Sequence, residues 1–131
     1  MLSLRSALVS ATLLLALTTT TPAQQFVTTP GWAHDVTPDG CIVVGNMIAN
    51  GGGWRWDWQN QAEPTIIDGR VSAVSADGNV IVGTIADPVT GNEVAGRWTE
   101  ATGWVPLGGL DTCGINISTA YDVSADGSQV V

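Results

Sequence analysis

The sequence of 131 residues contains no lysine, one histidine, one tyrosine and one phenylalanine, and its formal net charge is −8. Binding to nucleic acids or to anionic membranes depends on clustered Lys and Arg side chains. The composition therefore argues against both kinds of partner. Because 44% of the residues are hydrophobic and only 12% are charged, we predict a folded chain with one modest domain.

Side chains suited to catalysis are equally scarce. His34 is the only histidine, and no Gly-x-Ser-x-Gly motif or Cys/His cluster accompanies it. Acid–base and nucleophilic catalysis need several such groups together. We therefore expect a protein that is not an enzyme and that uses no cofactor.

Residues 1–23 have the pattern of a secretory signal peptide. Arg5 supplies a positive charge, residues 7–17 form an apolar run too short to span a bilayer, and Ala23 ends a polar stretch. Cleavage there would release residues 24–131 as a secreted or cell-surface domain without further membrane contact. The alternative is an uncleaved segment that anchors the chain in the membrane.

The rest of the sequence repeats. Three segments align without gaps: AHDVTPDGCIVVG from residue 33, VSAVSADGNVIVG from residue 71 and AYDVSADGSQVV from residue 120. An Arg-Trp pair follows the first two, at residues 55–56 and 97–98. Spacings of roughly 40 to 50 residues indicate one supersecondary unit per repeat. We place the repeats at about residues 33–69, 71–110 and 120–131, the last one incomplete.

Each complete repeat predicts four short strands. Asp-Gly between apolar segments is a hairpin signal, and a continuous apolar run is typical of a strand buried on both faces. In the second repeat the strands are predicted at Val71–Ser75, Asn79–Ile85, Glu93–Thr99 and Trp104–Leu107. In the first repeat, the second to fourth strands are predicted at Cys41–Ile48, Gly53–Trp58 and Pro64–Ile67. The predicted fold is all-β, with tandem four-stranded antiparallel units in a partial β-propeller-like array.

The order of these motifs resembles the HAF-type extracellular repeats of bacteria. The segments that carry the resemblance are Val74–Gly83, Ala95–Thr99 and Gly103–Gly108. The His-Ala-Phe element of that family is replaced here by Val94-Ala95-Gly96 and by Gly52-Gly53-Trp54. The resemblance implies a secreted or surface protein of propeller-like β architecture, and it implies no particular chemistry.

The number of repeats is small for a propeller, which usually closes with about four to eight blades. The third repeat stops within its second strand. We expect that the chain is a fragment of a longer protein. The alternative is that several chains assemble into one ring.

Asp39, Asp77 and Asp126 recur in the repeats and have two interpretations. They are either turn residues that accept hydrogen bonds from their own backbone or ligands of calcium. Their surroundings offer too few oxygen ligands at alternate positions for an EF-hand pattern. We therefore predict a structural turn and no metal site.

Cys41 and Cys113 belong to a chain that is expected to reach an oxidising compartment. A disulfide between them would close a loop of roughly 70 residues and would stabilise the fold through loop entropy. The two residues lie on different repeats, so both the bridged and the unbridged states stay open.

The tryptophans fall into two groups. Trp56 and Trp98 occupy matching positions in the repeats, so we predict that both are buried in the core. Trp54 and Trp58 share a strand face with Trp56 and have no aromatic counterparts in the second repeat. They are candidates either for packing between units or for an exposed row that stacks on sugars or on a partner protein.

From these observations we predict a secreted, non-catalytic extracellular module with a structural or interaction role. Its expected partner is a protein or a glycan at the cell surface. The alternative function is carbohydrate binding through Trp54 and Trp58.

Overall fold

The computed structural model describes residues 27–109 and 116–131, which contain two four-stranded antiparallel sheets. The first sheet, called the first unit, consists of β1 (Gly31–Val36), β2 (Ile42–Met47), β3 (Gly53–Asp57) and β4 (Thr65–Ile67). The second unit consists of β5 (Arg70–Val74), β6 (Ile81–Ala86), β7 (Glu93–Thr99) and β8 (Gly103–Gly108). Strands lie in chain order within each sheet. The predicted all-β fold of tandem four-stranded units is confirmed.

The segment 116–131, called the third unit, forms the start of a further hairpin. Val123 and Val130 make an antiparallel bridge, and the backbone of Asp122 is hydrogen-bonded to that of Val131 in both directions. In the part of the chain that the structure describes, the sheets stay open and form neither a closed barrel nor a closed propeller. No helix that is long and apolar enough to cross a membrane occurs among those residues.

The second and third strands pair in the same register in both sheets. Val44 on β2 lies opposite Arg55 on β3, and Val82 on β6 lies opposite Arg97 on β7. The observed β7 has the bounds predicted from the sequence, whereas β6 begins at Ile81 rather than at residue 79. The later start has a local cause, because the residues before Ile81 take part in the preceding turn.

The turns that contain Asp-Gly are closed by a hydrogen-bonding pattern found in all three units. The Ser75 hydroxyl donates to Asp77 Oδ1 at 2.6 Å and accepts a bond from the backbone N–H of Val80 at 3.0 Å. Asp77 Oδ1 also accepts a backbone bond two residues further on. The same bonds surround Asp39 and Asp126. The predicted role of these aspartates in turns is confirmed.

The glycines of the second and third Asp-Gly pairs also contact the preceding unit. Gly78 has a φ of 72°, and a Cβ there would collide with the Ile42 side chain of the first unit. Gly127 has a φ of 73° and lies against Val80 in the same way. Arg55 adds a further link, since its Nε donates to the Gly78 carbonyl at 3.2 Å. The turns of the second and third units are therefore part of the interface with the preceding unit.

The hydrophobic core consists of two layers, because alternate residues of a strand point to opposite faces. The layer between the first and second units is formed by Ile42, Val44, Ile67, Val71, Val74 and Ile81. The layer between the second and third units is formed by Ala73, Val80, Val82, Ala95, Ala120 and Val123. The second unit contributes to both layers, which explains why the apolar run around β6 is continuous.

The prediction that Trp56 and Trp98 are both buried is wrong, although the register places them in equivalent positions. Both side chains are half-buried. Trp98 packs against the layer between the first two units. Trp56 lies on the face of the first sheet that points away from the second unit, where its Nε1 donates to the Gln61 carbonyl at 3.0 Å. The two tryptophans differ in their packing because only Trp98 has a preceding unit to pack against.

Candidate functional site

A cleft of about 470 Å³ is lined by β1, by β5 and by the corresponding segment of the third unit. Its wall includes residues at two repeated positions, one on each side of the position that Ala33, Val71 and Ala120 occupy. The first position is occupied by Trp32, Arg70 and Thr119, and the second by His34, Ser72 and Tyr121. The repeat therefore supplies one framework, and the side chains placed on it differ from unit to unit.

A β-bulge at the same register in β1 and in β5 directs side chains to this cleft. The extra residue is His34 in the first unit and Ser72 in the second. Bulges bend a strand and change the direction of a side chain, and they are frequent beside functional sites. A glycine makes this bulge possible, because a Cβ on Gly45 would overlap the carbonyl of Trp32, and Gly83 lies equally close to β5.

Two aromatic side chains line the cleft, one from the first unit and one from the third, and both are largely open to solvent. Trp32 of the first unit is 68% exposed, and Tyr121 of the third unit is 75% exposed. Aromatic rings bring a large apolar surface and a polar group to an interface. Contact of this apolar surface with water is unfavourable, and a bound ligand would remove the surface from water.

The polar groups of the cleft are donors and hydroxyls rather than carboxylates. Arg70 lies on β5, the first strand of the second unit, and is exposed. No Asp or Glu belongs to the described lining. The nearest carboxylates along the chain are engaged elsewhere: Asp35 Oδ2 accepts the Val74 N–H at 2.9 Å, and Asp122 Oδ1 accepts the Val123 N–H at 2.8 Å.

The sequence-predicted ligand residues Trp54 and Trp58 lie outside this cleft. Trp54 is completely buried, with its ring against Gly45, and its Nε1 has no hydrogen-bond partner among the described residues. It therefore offers no face to a sugar, and the expectation of an exposed row that includes Trp54 is corrected. Trp58 is half-buried and donates from Nε1 to the Gly40 carbonyl at 2.7 Å. A contact between Trp58 and a ligand stays a prediction.

The described residues do not test the predicted disulfide between Cys41 and Cys113. Cys41 is half-buried beside the first Asp-Gly turn, with its Sγ 3.7 Å from the Asp39 carbonyl oxygen. Partial burial raises the pKa of the Cys41 thiol, and the hydrogen bond and negative charge of Asp39 raise it further. Cys113 lies outside the described residues, so the bridge stays a prediction.

Each of the three turn aspartates accepts local hydrogen bonds at its Oδ1 atom. The Ser124 hydroxyl, together with the backbone and hydroxyl of Ser128, lowers the pKa of Asp126 to about 2. Hydroxyl and backbone donors also lower the pKa values of Asp39 and Asp77. Within residues 27–109 and 116–131, no three His, Cys, Asp or Glu side chains come together as a metal site.

Sequence reasoning missed Trp32 and Tyr121. A usable signal was present, since Tyr121 aligns with His34 and Ser72, and Trp32 aligns with Arg70. These positions vary in chemistry while the residues around them repeat. Such variation on a repeated framework is how repeat proteins form a binding surface.

Comparisons with protein-family models, with curated proteins and with solved structures give no match for this chain. The resemblance to HAF-type repeats stays a prediction.

Proposed function

We propose that this chain is a secreted, non-catalytic binding module that attaches to the cell surface of the organism that produces it, with the cleft as its ligand surface. The observation that carries the proposal is the pair of exposed aromatic side chains, Trp32 of the first unit and Tyr121 of the third, that line one cleft. Ligand sites are concave, rich in aromatic groups and supplied with a few polar groups that fix orientation.

The chemistry of the lining supports binding rather than catalysis. The cleft offers two aromatic rings, a guanidinium, an imidazole and small hydroxyls. Hydrolysis by paired carboxylates requires acids that face one another across the ligand, and the described lining contains neither Asp nor Glu. In the described lining no Asp or Glu is present to orient His34 as the base for a nucleophile, which is the third group that such covalent catalysis uses.

The rigidity of the framework supports the same role. Trp32 and Arg70 lie on β1 and β5, which are hydrogen-bonded to β2 and β6 on both sides of the bulges, and β5 also contributes Val71, Ala73 and Val74 to the two core layers. A rigid surface loses little conformational entropy when a ligand binds. The export expected from residues 1–23 would bring this surface into contact with the outside of the cell.

The proposal is tested by saturation binding of the labelled, exported protein to intact cells of the producing organism. We expect Trp32→Ala and Tyr121→Ala each to weaken binding at least tenfold. Trp56→Ala is the matched control, since it removes a half-buried tryptophan outside the cleft. Circular dichroism establishes that the variants are folded. The proposal fails if the wild type does not bind, or if both cleft variants bind as it does.

A further inference from the structure

We propose that the cleft binds an uncharged oligosaccharide several sugar rings long. This inference rests on the proposed function and adds the chemical class of the ligand. It follows from the aromatic groups, from the charge distribution, from the bulged strands and from the length of the cleft.

The aromatic groups have the exposure that sugar stacking needs. One face of a pyranose ring presents C–H groups, which gain dispersion contacts when they lie on the face of an indole or a phenol. Trp32 and Tyr121 are open to solvent, whereas Trp98 and Trp104 pack against the core. The exposed pair is thus available for stacking and is not needed to hold the sheets together.

The net charge of the chain and the charge within the cleft disfavour two classes of ligand. The net charge of −8 repels a polyanion at long range. Arg70, in a lining without Asp or Glu among the described residues, disfavours a cation. A neutral ligand with many hydroxyl groups avoids both penalties. The five N–H donors of the Arg70 guanidinium suit adjacent sugar hydroxyls, and Ser72 and Thr119 can donate as well as accept.

The shape of the strands disfavours a peptide ligand. An extended peptide binds by adding a strand to a regular sheet edge. The bulges at His34 and Ser72 interrupt the edges of β1 and β5 at the cleft. A bulge of this kind is also a way in which proteins protect an edge from strand pairing. Side-chain contacts to a sugar chain do not require a regular edge.

The length of the cleft sets the size of the ligand. Trp32 belongs to the first unit and Tyr121 to the third. The second unit, with Arg70 and Ser72, lies between them, so the cleft spans three units. A chain of sugar rings can contact all three units, with Arg70 between its ends. Affinity should therefore rise with the number of sugar units until both aromatic positions are occupied.

The test compares binding of the exported protein to cells of the producing organism after two treatments. Periodate cleaves vicinal diols of sugars, and proteinase K removes surface proteins. We expect periodate to reduce binding at least tenfold and proteinase K to change it less than twofold. Surface polysaccharide is then separated by anion exchange, and the unretained, neutral fraction should compete for binding. Shortening that fraction by partial acid hydrolysis should weaken competition sharply below three sugar units.

The variants identify the site. Arg70→Gln should weaken competition by the neutral fraction at least fivefold, with Arg97→Gln as the control that changes the net charge equally outside the cleft. Binding that resists periodate and is lost with proteinase K overturns the glycan inference and leaves the proposed function standing. Competition by the acidic fraction alone overturns the neutral class. Equal binding by Trp32→Ala, Tyr121→Ala and wild type overturns the proposed function itself.

Discussion

The side-chain amide of Asn46 makes both outward backbone hydrogen bonds of Val71. Asn46 Nδ2 donates to the Val71 carbonyl at 2.9 Å, and the Val71 N–H donates to Asn46 Oδ1 at 2.8 Å. Val71 lies on β5, an edge strand, where these groups have no partner in their own sheet. The Asn46 side chain of the first unit thus supplies two hydrogen bonds that a neighbouring strand would otherwise supply to β5. At the next junction, the Ala120 N–H instead approaches the Gly83 carbonyl at 3.4 Å.

Asn46→Ala should lower the free energy of unfolding by about 1–3 kcal/mol, because it leaves a half-buried donor and acceptor without partners. Asn46→Asp should be at least as costly, since a carboxylate would face the Val71 carbonyl. Asn50→Ala in the exposed loop between β2 and β3 is the control and should change stability little. Urea unfolding monitored by tryptophan fluorescence measures all three. Equal stability of Asn46→Ala and Asn50→Ala would show that the amide pair contributes nothing.

Gly78 and Gly91 separate backbone strain from packing between units. Their φ values are 72° and 75°, so an alanine at either position costs about 1–2 kcal/mol for the left-handed backbone. Only at Gly78 would the new Cβ meet a neighbour, the Ile42 side chain, whereas Gly91 has open space. Overpacking should make Gly78→Ala more destabilising than Gly91→Ala by about 1–3 kcal/mol. This difference should shrink in an Ile42→Ala background, and a difference that persists there would refute the packing explanation.

Val36, Val74 and Val123 occupy one position in three successive units and differ in their neighbours. Val74 and Val123 are buried against the preceding unit, whereas Val36 is 50% exposed. Truncation of Val74 to alanine should therefore cost about 1–3 kcal/mol, and truncation of Val36 less than about 1 kcal/mol. Chemical denaturation of the two single variants tests this ranking. A reversed order would mean that the first unit is packed on its other face in solution.

The strands could be predicted from the sequence because their signals are local. Asp-Gly fixes the turns through bonds within four or five residues, and the alternation of apolar residues fixes the register once the turn is placed. β7, at Glu93–Thr99, has the bounds that its pattern predicted. The continuous run before it was correctly interpreted as buried on both faces, because Val80 and Ile81 belong to different core layers.

The cleft could not be predicted in the same way, because it depends on contacts between units. Alternation alone puts Trp54 on the face of Trp56 and gives no information on what covers it, and Trp54 is in fact completely buried. The bulge that presents His34 breaks the alternation, so period-two reasoning fails at this position. The motif glycine Gly45 was visible in the sequence, but its reason, the close approach of the Trp32 carbonyl, is a tertiary one.

The turn aspartates should make stability depend on pH in the acid range. Hydrogen bonds to Ser124 and Ser128 lower the pKa of Asp126 from 3.8 to about 2 in the folded chain, while the unfolded chain keeps the higher value. Between these values the unfolded state binds more protons than the folded state, so stability falls as pH falls. The contribution is present in full above about pH 4 and is lost as the pH approaches 2. The lowered pKa values of Asp39 and Asp77 act in the same direction.

The triple variant Asp39→Asn, Asp77→Asn, Asp126→Asn should therefore show a flatter decline of melting temperature between pH 4 and pH 2 than the wild type. The amide oxygen of asparagine can still accept the turn bonds, so the fold should persist, but the side chain no longer binds a proton on unfolding. At pH 7 the variant should be less stable than the wild type, since a carboxylate accepts a stronger hydrogen bond than an amide. Asp68→Asn, at an exposed carboxylate outside the turns, is the control and should keep the wild-type slope. Thermal melts at half-unit pH steps measure how the melting temperature of each variant declines with pH. A triple variant whose melting temperature falls with the wild-type slope would show that acid sensitivity arises elsewhere in the chain.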